Sequence, residues 1–321
     1  MTGKAATLLQ AARDGERPAL ARLLSIVERG GPDAVALAGL VGSGSGSYSV
    51  GLTGAPGAGK STLTSALLGV IRSGAGRVAV VAIDPTSPFS GGAILGDRLR
   101  MQDHALDDGV YIRSMATRGH LGGLALAVPE AVRVLAAAGW PLVLIETVGV
   151  GQVEVEVAGS ADTCVVVVNP GWGDAVQASK AGLMEIADVF VINKADRDGT
   201  AQTRHDLEAV LDFAARPDGA WRPPIVEAVS TTARGVDEVW VAIGAHRDAI
   251  TSSGELDRRR AARRVTELRN TVVRALEQAA RDRIGPDAWR AAEAAVAAGD
   301  QSPSAVAGVL LAPLLDPPSG C

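Results

Sequence analysis

The chain has 321 residues, 47% of them apolar and 21% charged, enough to bury a sizeable core and too apolar for a disordered protein. Aromatic residues make up only 3%, and 31 basic against 36 acidic residues give a net charge of −5, which argues against a nucleic-acid partner. The two cysteines, Cys164 and Cys321, lie too far apart for a CxxC site or a disulfide framework, as expected in a reducing cytoplasm. Lys4 is followed by a short apolar stretch that Arg13, Asp14 and Glu16 interrupt, so no secretory leader is expected. No run reaches the roughly 18 uncharged apolar residues of a membrane span, so no membrane insertion is expected either.

Residues 1–45 read as a helical extension, with Leu23, Leu24 and Val27 at helical spacing and a Gly-Ser linker over 42–47. From 46 to 253 short β-rich runs alternate with helical stretches. The runs are Tyr48–Thr53, Val78–Ile83, Leu142–Thr147, Cys164–Asn169, Val189–Asn193 and Ile225–Val229. Helices are expected near Lys60–Ser73, Pro129–Ala138, Asp174–Ala187 and Thr203–Ala214. Several runs are apolar at consecutive positions, as strands buried on both faces are, which predicts an α/β fold with a mostly parallel sheet covered on both sides. From 254 to 321 the strands stop. Ala261, Val265, Leu268, Val272, Leu276 and Ala279 recur in steps of three and four along one long helix, and two shorter helices follow.

The segment Gly54-Ala55-Pro56-Gly57-Ala58-Gly59-Lys60-Ser61, followed by Thr62, fits the phosphate-loop pattern GxxxxGK[ST] between a strand and a helix. Backbone N–H groups of such a loop wrap a phosphate, the lysine reaches the terminal phosphates, and the Ser hydroxyl serves Mg2+. The overlapping Gly57–Thr62 stretch lacks the last glycine of a dinucleotide fingerprint. A later strand ends in Asn193-Lys194-Ala195-Asp196, an NKxD pattern. In P-loop GTPases its carboxylate accepts from the guanine N1–H and amine, which adenine does not offer, so GTP/GDP is the expected nucleotide. Ser230 and Thr231, after the next strand, are candidates for a loop backing the base. Glu146-Thr147-Val148-Gly149 stands where GTPases carry a DxxG switch: Glu146 is a candidate for holding Mg2+ and the Gly149 N–H for touching the γ-phosphate. Asp84 ends a strand and Asp97 lies in a Gly- and Ser-rich loop; each reads either as a residue near the metal or as a turn residue. Val150 follows Gly149 where Ras-like GTPases place a water-orienting glutamine, which predicts slow intrinsic hydrolysis.

Together these residues resemble the MeaB/ArgK family of P-loop GTPases. The resemblance is carried by GAPGAGKS, Asp84–Ser87, Gly91–Arg98, Gly119–Gly123, ETVGVGQ from Glu146, Pro170–Asp174, and Glu185–Asp188 running into NKAD. It implies a P-loop NTPase fold and a chaperone of adenosylcobalamin-dependent acyl-CoA mutases of the methylmalonyl-CoA type. It also implies a homodimer formed through the C-terminal helices. By that resemblance Lys60, Glu146 and Asp97 are the candidate catalytic set, and Ser61, Asp84, Asp97 and Glu146 serve Mg2+. Pro170 to Lys180 is then an additional switch touching the mutase, with Lys180 a candidate for coupling. Read from the sequence alone, Lys180 is equally a solvent-facing charge, and the Arg258–Arg264 cluster reads as a solvated helix face or a dimer contact ahead of a contact for an anionic partner. The alternative function, a nucleotide-dependent kinase of amino-acid transport proteins, lacks any kinase signature such as H-R-D.

Overall fold

The computed structural model describes residues 2–42, 46–84, 104, 106–116, 123–147, 160–171, 185–213 and 219–315. Three helices open the chain: α1 (Thr2–Arg13), α2 (Arg17–Arg29) and α3 (Pro32–Val41). Strands and helices then alternate as β1 (Tyr48–Gly54), α4 (Lys60–Ser73), β2 (Val78–Asp84), β3 (Val110–Ala116), α5 (Gly123–Ala137), β4 (Leu142–Thr147), β5 (Thr163–Val168) and β6 (Val189–Asn193). α6 (Thr200–Phe213), β7 (Ile225–Ala228), a 3-10 turn at Ser230–Thr232 and α7 (Val236–Ser252) complete the series. α8 (Glu255–Ile284), α9 (Pro286–Ala297) and α10 (Pro303–Leu315) follow.

The seven strands among the described residues form one parallel sheet in the order β3-β2-β4-β1-β5-β6-β7. The chain leaves β1 toward β2 on one side and later returns to β5 on the other, so the carboxyl end of β1 is a switch point, where open α/β sheets bind ligands. β4, β5 and β6 are buried along their whole length, which is why they read as unbroken apolar runs. Alternate residues serve opposite layers. Val50, Leu52, Leu144, Val165, Val167 and Val191 pack with Leu63, Leu67 and Ile71 of α4 and Val239 and Ile243 of α7. On the other face Val143 and Ile145 meet Ala131, Val134 and Leu135 of α5, over which Leu20, Leu23, Leu24 and Val27 of α2 close the core. Val166, Val168, Phe190 and Ile192 pack against Leu207 and Leu211 of α6 on that same side.

Six strands fall where the apolar runs predict them. β3 has no such run because it is an edge strand carrying Arg113 and Ser114; the Arg113 guanidinium pairs with Glu28 and donates to Ser25 Oγ of α2 at 3.0 Å. The helix expected over Asp174–Ala187 lies mostly outside the described residues. The chain divides into two compact units, residues 1–261 and 262–321. In the second unit the α8 side chains Val265, Leu268, Val272 and Leu276 are all exposed. Among the described residues no helix is long and apolar enough to cross a membrane.

Candidate nucleotide-binding site

The site forms where β1, β4 and β6 end. Gly54 closes β1 with φ +139°, and a Cβ there would lie 2.0 Å from the Val167 carbonyl oxygen of β5, so only glycine lets the loop leave the sheet at this point. The loop turns through Ala58 N–H to Ala55 O at 3.1 Å and enters α4 with Gly59 in the left-handed region as its cap. The first turn of a helix leaves N–H groups without intrahelical acceptors and concentrates positive potential, a ready seat for phosphate. Lys60 is buried, and its Nζ donates to Gly54 O at 2.6 Å and Ala55 O at 3.2 Å, so the ammonium sits inside the curl of its own loop. Ser61 is buried beside it, Thr62 is half-buried, and Ala55 to Gly57 form the outer rim.

Glu146 is fully buried at the end of β4, in register with Leu52 of β1 and Ala82 of β2. In-register neighbours of a parallel sheet share a face, and Leu52 packs with α4, so the Glu146 carboxylate lies on the side that carries Ser61. Thr147, pointing the other way, donates to Leu52 O at 3.2 Å. Asp84 is placed as the last residue of β2, while Asp97, Gly149 and Lys180 lie outside the described residues.

Asn193 holds the site together. Its Nδ2 donates to Ala58 O at 2.8 Å and Gly59 O at 3.4 Å, while its Oδ1 accepts from Ser230 N–H at 3.1 Å and Ser230 Oγ at 2.7 Å. One buried carboxamide thus joins the phosphate loop, the end of β6 and the turn after β7. The next residue, Lys194, adopts φ +59°, a strained choice for a side chain of this size, and its Nζ donates to Gly57 O at 2.6 Å. Ala195 N–H donates to Ala228 O at 3.0 Å, leaving Asp196 exposed, without a hydrogen-bond partner among the described residues. Ser230 is buried against Asn193 and Thr231 is exposed. The sequence proposes Ser230 and Asn193 separately; the carboxamide between them, and the Lys194 contact to Gly57, depend on a fold that brings residues over 130 positions apart together.

This packing leaves no room at Gly59. A Cβ there would lie 2.3 Å from Asn193 Nδ2 at φ +93°. Gly59→Ala is therefore expected to displace the carboxamide and lower stability by about 2 kcal/mol, combining left-handed strain with a weakened buried hydrogen bond. A urea midpoint unchanged from the parent chain would contradict the arrangement.

The sequence profile described as methylmalonyl-CoA mutase-associated GTPase MeaB matches residues 20–284. The chain belongs to this family. Among relatives, a Pyrococcus abyssi protein that carries a GTPase name is 45% identical over 269 residues, 83% of each chain. A Caenorhabditis elegans protein named as a mitochondrial methylmalonic aciduria type A homolog is 38% identical over 187 residues, 57% of this chain and 47% of its own. Among solved structures, one described as a LAO/AO transport system kinase superposes with a TM-score of 0.70 at 30% identity, covering 98% of both chains. The family carries GTPase in its description, in keeping with the phosphate loop and NKAD segment already placed around one strand edge.

Proposed function

We propose that the chain binds GTP at this edge and hydrolyses it to GDP and phosphate, and that the cycle gates cofactor loading and protection of an adenosylcobalamin-dependent acyl-CoA mutase. The observation that supports the nucleotide reading is the Asn193 carboxamide, which joins Ala58 and Gly59 of the loop after β1 to Ser230 and so ties the NKAD segment to that loop. The mutase reading is supported by the family description and by the name of the nematode relative. We assign residues 1–45 to a helical extension, 46–253 to the nucleotide domain and 254–321 to an arm. The exposed α8 stripe Val265, Leu268, Val272 and Leu276 supports dimerisation through that arm.

In this reading water oxygen attacks the γ-phosphorus as the bond to the β–γ bridging oxygen breaks; GDP leaves with the bond pair, and the water's protons pass to the phosphate product and to solvent. Lys60 and the α4 N–H groups hold the terminal phosphates; Asp196 accepts from guanine; Asn193 and Ser230 fix the distance between the two recognition elements. The Gly149 N–H is assigned to the γ-phosphate, and Thr62 and Thr231 line the pocket.

The described donors suit Mg2+. Ser61 and Glu146 offer hard oxygen ligands on one face, and this ion needs only one or two protein oxygens beside phosphate and water. We assign Ser61 and Glu146 to it, with Asp84 and Asp97 completing the set. When bound, Mg2+ neutralises charge on the phosphate oxygens.

Calorimetry with GTP and ATP tests the base reading. The parent chain is expected to prefer GTP, and Asp196→Asn to reduce that preference about 30-fold, the worth of a charge-assisted hydrogen bond pair. Equal affinity for both nucleotides in the parent would refute guanine recognition. The second reading, a kinase of transport proteins, is favoured by the description of the structural neighbour. γ-Labelled GTP separates the two: label released only as free phosphate, with a cobalamin mutase captured on a non-hydrolysable analogue, supports the chaperone; label on a transport protein supports the kinase.

A further inference from the structure

The opposite end of the sheet carries a repeated device. Asp162, just before β5, donates its N–H to Ser49 O at 3.0 Å and accepts the Ser49 N–H on Oδ2 at 3.0 Å. Asp188, just before β6, does the same to Cys164, donating to its oxygen at 2.9 Å and accepting from its nitrogen at 2.9 Å. One carboxylate therefore fastens β1 to β5 and the other fastens β5 to β6. Successive residues of α8 meet them. Arg260 Nε and Nη2 fork onto Asp162 Oδ1 and Oδ2 at 3.0 and 2.6 Å, with Nη2 also 3.0 Å from Ser47 O. Arg259 Nη1 bonds Asp188 Oδ1 and Oδ2 at 3.0 and 3.2 Å. Around them, His246 Nε2 stands 3.2 Å from Asp188 Oδ1 and its Nδ1 is 2.8 Å from Thr163 Oγ1, which is 2.6 Å from Tyr48 Oη.

β1, β5 and β6 are adjacent in the sheet, and β1 and β6 end in the phosphate loop and in Asn193. Five residues of strand separate each fastening from those loops, about 17 Å of stiff backbone. A buried ion pair is a poor source of stability compared with an apolar contact, but it fixes registry. The arginines keep a path to water, with side-chain exposures of 34% for Arg259 and 19% for Arg260 against 9% and 2% for their carboxylates. The carboxylates are retained by strand amides while the guanidinium groups can withdraw.

We propose that Arg259 and Arg260 are positioning residues for the nucleotide site: through Asp188 and Asp162 they set the spacing of β1, β5 and β6, and so couple the seating of residues 255–261 to occupancy of the loops at the far strand ends. Such coupling is reciprocal, so nucleotide tightens this segment as much as the segment tightens nucleotide binding. The inference rests on the guanine-nucleotide reading above.

Hydrogen exchange on the full chain with and without GDP and Mg2+ tests it, beside GDP affinity of the double variant Arg259→Gln/Arg260→Gln. GDP is expected to slow exchange at least threefold at 255–261, and at Ser49 and Cys164, as well as around 54–61. The double variant is expected to bind GDP about tenfold more weakly and to lose the nucleotide-dependent protection of 255–261, while Arg259→Lys/Arg260→Lys restores part of both. A wild-type chain that binds GDP with no change at 255–261 overturns the proposal, whether or not the variants fold. So does a folded Gln variant with wild-type affinity. A wild-type chain that does not bind GDP overturns the guanine reading, and this proposal with it.

Discussion

Replacing Lys60 with alanine is expected to weaken GTP binding by at least 100-fold and leave the fold intact. The ammonium is buried within its loop, on Gly54 O and Ala55 O, and nucleotide phosphate would take over donors already aimed into the curl. Two charge-assisted hydrogen bonds lost at 1.5–3 kcal/mol each amount to roughly 3 kcal/mol or more, beyond a factor of 100 in affinity. Alanine is the best helix former and stands at the first position of α4, but Gly54 O and Ala55 O lose their donor, so stability is expected to fall by about 1–2 kcal/mol while the chain still folds. Calorimetric titration of both chains with GTP checks this. Equal affinities would mean that the loop does not hold terminal phosphates.

The second large effect lies at the other end of the sheet. Burial pushes the Asp188 carboxyl up, but the His246 ring, Arg259 and the Cys164 N–H outweigh it and hold the group below the usual carboxylate range. A lowered folded-state value contributes stability that is complete above the unfolded value, roughly pH 4, and is lost as pH falls through the folded one. Asp188→Asn is therefore expected to lower stability near neutrality by about 3 kcal/mol, with the partial exposure of Arg259 keeping the loss from being larger. It should also flatten the acid limb below pH 4. Urea midpoints measured from pH 7 to pH 2.5 check both, and parallel profiles for the two chains would deny Asp188 this role.

The layered fold is legible because residues such as Val165–Val168 and Val189–Ile192 are buried on both faces and leave apolar runs, while Leu63, Leu67 and Ile71 mark one face of a helix. Edge strand β3 is not, since Arg113 and Ser114 break its run for the sake of a partner in α2. At the nucleotide edge the motifs announce themselves because phosphate binding dictates local spacing: Gly54, Gly59 and Lys60 act within a few residues of one another. The carboxamide bridge from Asn193 is a tertiary fact that spacing does not encode. The arginines are the sharpest difference. Arg258 to Arg264 read as a solvated face or dimer contact, whereas Arg259 and Arg260 are ion-paired to buried carboxylates of the same chain. Asp162 draws no notice in the sequence and Asp188 enters only through the Glu185–Asp188 segment of the resemblance, because nothing local distinguishes a carboxylate before a strand from one that grips the neighbouring strand.

The ion pairs at the sheet base also bear on how the protein is made. Asp162 meets Arg260 across 98 positions of chain, and Asp188 meets Arg259 across 71. A polypeptide growing from the ribosome therefore displays β1, β5 and β6 well before the cations that neutralise the carboxylates between them have emerged. The carboxylates at the sheet base gain their arginine partners only once the root of α8 has been made, and a chain ending between α7 and Arg259 is expected to be cut by proteases faster than the full chain.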